Sequence, residues 1–270
     1  MLSVQYYSYI CVLFAEIINI TNISKMKKLL FYATMLLGII ATTTSCNKKS
    51  DAPMEYTMLS TIVDGSWATG NFSAKFDNGE KAFVENSSDW TIKGSSYLGG
   101  ETRAVITFYY VEGATKENFD HVINITGLYQ VPTEYLQSMQ FSGISDPSEY
   151  DAGINIDQAF VANNFLNIAL RYIYGDSNAK HDIKLVLNND RENSVYKELY
   201  NDADDDYLYL ELYHDSNNDT KKLECAIYYC YKLEYTNIGP DFDLKDYKGI
   251  KILYKSLKDN NKPMSFSVKL

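Results

Sequence analysis

The chain is poor in the side chains that do nucleophilic and metal chemistry. Its 270 residues hold three histidines (His121, His181 and His214) and four cysteines. No serine sits in a G-x-S-x-G elbow, and no CxxC, HExxH or glycine-rich phosphate loop occurs. Acidic residues are plentiful at 35, but two carboxylates serve a glycosidase only when they face each other, and sequence does not place them. Cations are the other shortage. Residues 47–270 carry 22 lysines and arginines against 34 carboxylates, a balance of −12. This excludes a phosphate-backbone binder, which needs clustered positive charge, and excludes polybasic adhesion to anionic lipid. No nucleic-acid partner and no cofactor are expected.

Disorder is excluded too. Apolar residues make up 46% of the chain, with 24 tyrosines and 12 phenylalanines, ample material for strands and a core.

The N-terminus is an address. Met26-Lys27-Lys28 is a basic start, Leu29–Ala41 is an apolar run too short to span a bilayer comfortably, and small residues lead to Cys46. Residues 1–25 precede this complete signal and read as a start placed too early. Residues 26–45 then form a lipoprotein signal peptide with Cys46 as the lipidated residue, although Thr43 stands where such signals usually have leucine. Residues 46–55 read as a tether. Cys225 and Cys230 lie five apart on one strand, roughly 16 Å, beyond the reach of a mutual disulfide. They are expected to be buried thiols.

Between residues 56 and 131, short alternating strands follow one another without a helical period, suggesting a small barrel. Asp77-Asn78-Gly79 between Phe76 and Phe83 marks a hairpin turn. Val131–Tyr150, with two prolines and no clean period, is the expected domain boundary, with a helical turn within Pro132–Gln140. Residues 132–270 hold a second strand series, Phe165–Tyr174 being the first, that suggests an antiparallel β-sandwich.

The most informative stretch is His181–Asp219. In HDIKLVLN the apolar side carries His181, Ile183, Leu185 and Leu187. In YLYLELYH it carries Leu208, Leu210, Leu212 and His214. Antiparallel pairing of the two strands would set His181 directly opposite His214. Beside Asp182 and Asp215, or with Asp219, such a pair is a weak metal candidate that lacks a third ligand of convincing spacing. The commoner outcome is two neutral histidines closing the end of a core. Tyr207, Tyr209 and Tyr213 share the opposite side and form a possible binding surface, since aromatic faces with polar tips suit sugars and interfaces. Asp215–Asp219 lacks the glycine and glutamate of a calcium loop and reads as an Asx turn. Asp202 and Asp204–Asp206 read as a solvated loop.

Several segments, FDNGE (76–80), ETRAVITFYY (101–110), FDHVINITGLYQV (119–131), HDIKLVLN (181–188) and LELYHDSNND (210–219), resemble the NigD-like lipoproteins of Bacteroidetes. The chain departs from them at Tyr213, where the family more often has arginine. The resemblance implies an OB-type barrel followed by a β-sandwich, anchored to the outer membrane in the cell envelope. It implies no biochemical activity. The expected function is a non-enzymatic binding or assembly module with an envelope protein or glycan as partner. The alternative is a hydrolase acting on envelope polymers.

Overall fold

A computed structural model of the protein describes residues 53–66, 71–92, 101–175, 180–201, 203–219, 223–234 and 243–270. Cys46, Asp202 and the whole signal segment lie outside them. Among the described residues only short 3-10 turns interrupt the strands, and no helix is long and apolar enough to cross a membrane. The chain divides into two compact units between Thr133 and Glu134.

The first unit is a closed five-stranded barrel. It consists of β1 (Tyr56–Ser66), β2 (Asn71–Phe76), β3 (Lys81–Val84), β4 (Thr102–Tyr110) and β5 (His121–Gln130), in the order β1-β2-β3-β5-β4. Only the β3–β5 pairing is parallel. Alternation along each strand sends one set of side chains inward. Ile62, Phe72, Ala74, Phe76, Ala82, Val84, Ala104, Ile106, Phe108, Ile123 and Ile125 fill the interior and are nearly or wholly buried. The β2–β3 hairpin forms where the sequence places it. Gly79 takes φ +92°, and its N–H donates to Phe76 O at 3.0 Å, a conformation that would strain a side-chain-bearing residue.

The second unit is a nine-stranded sheet folded over its own core. Its strands are β6 (Thr133–Tyr135), β7 (Gln137–Ser138), β8 (Ile154–Ala162), β9 (Phe165–Tyr174), β10 (Asp182–Leu187), β11 (Tyr207–Asp215), β12 (Leu223–Lys232), β13 (Gly249–Ser256) and β14 (Lys262–Lys269). They run β6-β12-β9-β8-β13-β11-β10-β7, with β14 on the other side of β13. A single bridge, Ser256 to Ile154, joins β13 to β8. The two halves bury Leu166, Ile168 and Leu170 together with Ile183, Leu185, Leu208, Leu210, Leu212, Ile250 and Ile252. Each such side chain contributes roughly 2 kcal/mol on burial.

Three expectations change. The sheet is mixed rather than antiparallel, because β11 pairs with β13 and β7 with β10 in parallel. A strand precedes Phe165: β8 joins β9 through Asn163 and Asn164, whose φ values of 49° and 65° are those of a tight hairpin that asparagine tolerates. The stretch up to Tyr150 is no loose linker. From residue 134 on it belongs to the second unit, where Leu136 is wholly buried and Tyr150 nearly so, and its helical turn falls at Met139–Phe141.

Candidate functional site

The histidines meet, but not in the expected register. Strand β10 pairs with β11 so that Ile183 faces His214 and Asp182 faces Asp215. His181 is therefore a diagonal neighbour of His214 on the same face, two residues from direct opposition. Diagonal neighbours remain within reach of long side chains. The rings stack at 5.1 Å and 24°, and His181 Nδ1 lies 2.8 Å from His214 Nε2. His181 Nε2 lies 3.2 Å from Asp219 Oδ2, which also accepts from the Gly175 N–H at 2.8 Å. Tyr172 packs against both imidazoles, at 4.9 and 5.1 Å.

Protonation follows from this order. An ionised Asp219 only accepts, so His181 Nε2 carries hydrogen. One of the two facing nitrogens donates to the other, and His214 Nδ1 is buried and makes no hydrogen bond of good geometry. Burial and the His181 charge push His214 down to about 4, while the nearby Gly153 and Ala152 backbone opposes this more weakly. The side chains of His181 and Asp219 are only 5% and 1% exposed, so the chain of groups is closed to substrate. Asp215 instead caps its turn by accepting from the Asn217 N–H at 2.7 Å. Among the described residues no His, Cys, Asp and Glu side chains are grouped to hold a metal ion.

The tyrosine face is not a surface, which corrects the expectation for Tyr207, Tyr209 and Tyr213. Tyr213 and Tyr209 are buried and Tyr207 half-buried, beneath a cover built from Met139, Ile144, Tyr150, Val195, Tyr196, Leu199 and Tyr200. At the centre of the covered face is Glu211, wholly buried. Its carboxylate accepts from Ser194 Oγ (2.5 Å), Tyr200 OH (2.8 Å), Tyr213 OH (2.5 Å) and Asn188 Nδ2 (3.1 Å). Burial first, and then the Glu211 charge, push the Tyr213 and Tyr200 hydroxyls far up, so both stay donors. Tyr213 is one of the neutral donors that hold this carboxylate. Sequence reasoning missed Glu211, whose place among the outward residues of an alternating strand made it look solvated. In the acidic loop, Asp205 is 98% exposed and Asp206 pairs with Lys248.

The barrel presents what the sandwich face does not. At one mouth, formed by the start of β1, the β2–β3 turn, the end of β4 and the start of β5, an aromatic column rises from the core. Phe76 stacks on Phe108 (5.4 Å, 18°) and Phe108 on Tyr56 (5.8 Å, 26°). Tyr110 stands edge-on to Tyr56, Phe108 and His121, at 5.2, 5.4 and 5.0 Å. Phe76 and Phe108 are buried, whereas Tyr56, Tyr110 and His121 are partly exposed. Glu80 completes the rim. Its Oε2 accepts from Asn78 Nδ2 at 2.7 Å and lies 3.1 Å from His121 Nε2. The Asn78 and His121 hydrogen bonds hold its carboxyl below the usual range, so it is ionised at neutral pH. Burial, and then Glu80 and Tyr56, raise the Tyr110 hydroxyl. The sequence signals were present, in FDNGE beside ITFYY and DH, but nothing local says that these three segments share a rim.

Two further groups escaped the sequence. Arg103 is wholly buried, with NH1 and NH2 on Asp77 at 2.7 and 2.9 Å and NH1 on Thr61 Oγ1 at 2.8 Å. Cys230 is a buried thiol whose Sγ–H donates to Asn167 Oδ1 at 3.1 Å. Cys225 is buried as well.

Comparison with known proteins places this geometry. Residues 139–268 match the family model of the NigD-like C-terminal beta sandwich domain. A crystal structure of a toxin-related protein from Parabacteroides distasonis superposes with TM-score 0.56 at 16% identity, over 80% of this chain and 93% of that one. A structure from Bacteroides fragilis, described as a lipoprotein, gives 0.56 at 11% identity over 80% and 98%. A NigD-like immunity protein from Bacteroides caccae gives 0.50 at 15% identity over 78% and 90%. At these identities the likeness is one of fold. No curated protein matches.

Proposed function

We propose, since residues 139–268 match the model of the NigD-like C-terminal beta sandwich domain, that the protein is a non-enzymatic envelope lipoprotein. It is anchored through Cys46 and binds a partner outside the cytoplasm. The observation that carries the binding reading is the barrel mouth, where partly exposed rings and an ionised carboxylate converge on a rigid rim. Binding sites join apolar area to a few placed polar groups in this way. The envelope reading rests on the signal and tether in the sequence, and on the description of the Bacteroides fragilis neighbour as a lipoprotein.

The hydrolase reading has one arrangement to appeal to, the Asp219–His181–His214 chain. A general base must reach its substrate, and this chain of groups is buried within the sandwich. Substitutions at the mouth, Tyr56→Ala with Tyr110→Ala, test the binding reading. Loss of a partner that co-purifies from envelope extracts with the unaltered protein is expected. Retention of every partner by the double variant would refute it.

A further inference from the structure

We propose that the barrel mouth receives a lysine or arginine side chain of a protein partner, its charge on Glu80 Oε1 and its alkyl stem across Tyr56 and Tyr110. This deepens the binding reading above and rests on it.

Both hydrogen bonds that Glu80 receives on its side chain end on Oε2, and no other described group bonds to Oε1. The side chain is 46% exposed. Its partners are a neutral amide and an imidazole, and among the described residues no lysine or arginine pairs with it. An ionised oxygen thus faces solvent on a rim that holds it in place, since Asn78 Oδ1 also accepts from the Glu80 N–H at 3.0 Å.

The rings supply the second half. Tyr56 ends a three-ring stack on Phe108, with Tyr110 edge-on beside it, and both tyrosines are partly exposed. Aromatic faces carry negative potential and attract ammonium and guanidinium groups, and a neighbouring carboxylate adds to that attraction. The unit around them is acidic, with ten carboxylates against five cations in residues 53–133. That field draws a basic segment toward the mouth.

A neutral saccharide fits less well. Sugars need several donors and acceptors for their hydroxyls, and the mouth has already used some of its own. Both ends of the Asn78 amide are engaged with Glu80, as is His121 Nε2. What remains is one carboxylate oxygen, two phenols, His121 Nδ1 and one Asn78 N–H, a set that suits a cation on an aromatic floor better than a ring of sugar hydroxyls.

The test is an NMR titration of the purified protein with three probes. They are acetyl-Gly-Lys-Gly-Lys-Gly amide, the same peptide with norleucine for lysine, and chitotriose. Expected are shifts of the His121, Tyr56 and Tyr110 resonances with the lysine peptide alone. Glu80→Gln, which keeps the side-chain shape at an exposed site, should weaken binding about tenfold without moving the melting temperature. Equal binding of the norleucine peptide, or unchanged binding by Glu80→Gln, would overturn the cation assignment. Response to chitotriose alone would overturn it while leaving the binding reading standing. No response of the mouth to any probe would overturn the assignment and remove the mouth as the binding site.

Discussion

His181 Nδ1 and His214 Nε2 share one hydrogen at 2.8 Å, with the outer nitrogen of His181 turned to the buried carboxylate of Asp219. The pair closes one end of the sandwich core and leaves His214 neutral in a place that resists its charging.

Acid stability should report this. The folded-state value of His214, pushed down to about 4 from 6.5, means that the unfolded chain binds the proton more readily. The contribution is therefore complete above about pH 6.5 and is lost as pH falls toward 4, at most roughly 3 kcal/mol. Urea midpoints measured from pH 7 to pH 4 should fall less steeply for His214→Gln than for the unaltered protein. Parallel pH profiles would show that His214 is not the group responsible.

Glu211 should be the most costly single carboxylate to remove. Glu211→Ala strands Ser194 Oγ, Tyr200 OH, Tyr213 OH and Asn188 Nδ2, and each buried unsatisfied donor costs about 1–3 kcal/mol where water does not reach it. A loss on the order of 4 kcal/mol is expected, with faster amide exchange across residues 188–201 and little change in the barrel. If exchange there stays slow, this carboxylate does not hold the cover.

Arg103→Lys tests the barrel in the same spirit. An ammonium cannot reproduce the two-pronged contact with Asp77 while also reaching Thr61. The variant should lose roughly 2–3 kcal/mol, and amide exchange should rise first around Asp77–Glu80. A melting curve unchanged by the substitution would mean that the introduced ammonium recovers the whole network.

The anchor is tested at Cys46. Multiple acyl chains hold a protein at a membrane where one does not. Cys46→Ala is expected to abolish lipid labelling and shift the protein to the soluble fraction. Unaltered labelling in the variant would refute lipidation at this residue.

Much of the fold was legible because the signals are local. Asn78-Gly79 and Asn217-Asn218 mark turns whose backbone demands are met by those residues alone, and Asn217 and Asn218 take φ 48° and 61° as asparagine readily does. The alternation in Ile183–Leu187 and Leu208–His214 gave each strand an inward side, and both inward sides lie in the core. The missing β8 shows the limit. INIDQAFVA alternates weakly because its pattern runs from buried to half-buried, so a periodicity test passes over it.

Strand β11 marks the division most clearly. Its sequence determined that Leu208, Leu210, Leu212 and His214 share a side, because side-chain direction alternates with the backbone itself. It also determined the strand-rich class, the turns and the acidic balance. Only the tertiary structure decided that the tyrosine side is covered as well, that β10 slides two residues so the histidines meet diagonally, and that Tyr56, Glu80, Tyr110 and His121 share one mouth. Those outcomes depend on contacts between segments tens of residues apart. No local pattern encodes them, because each is settled by which distant surface excludes water from it.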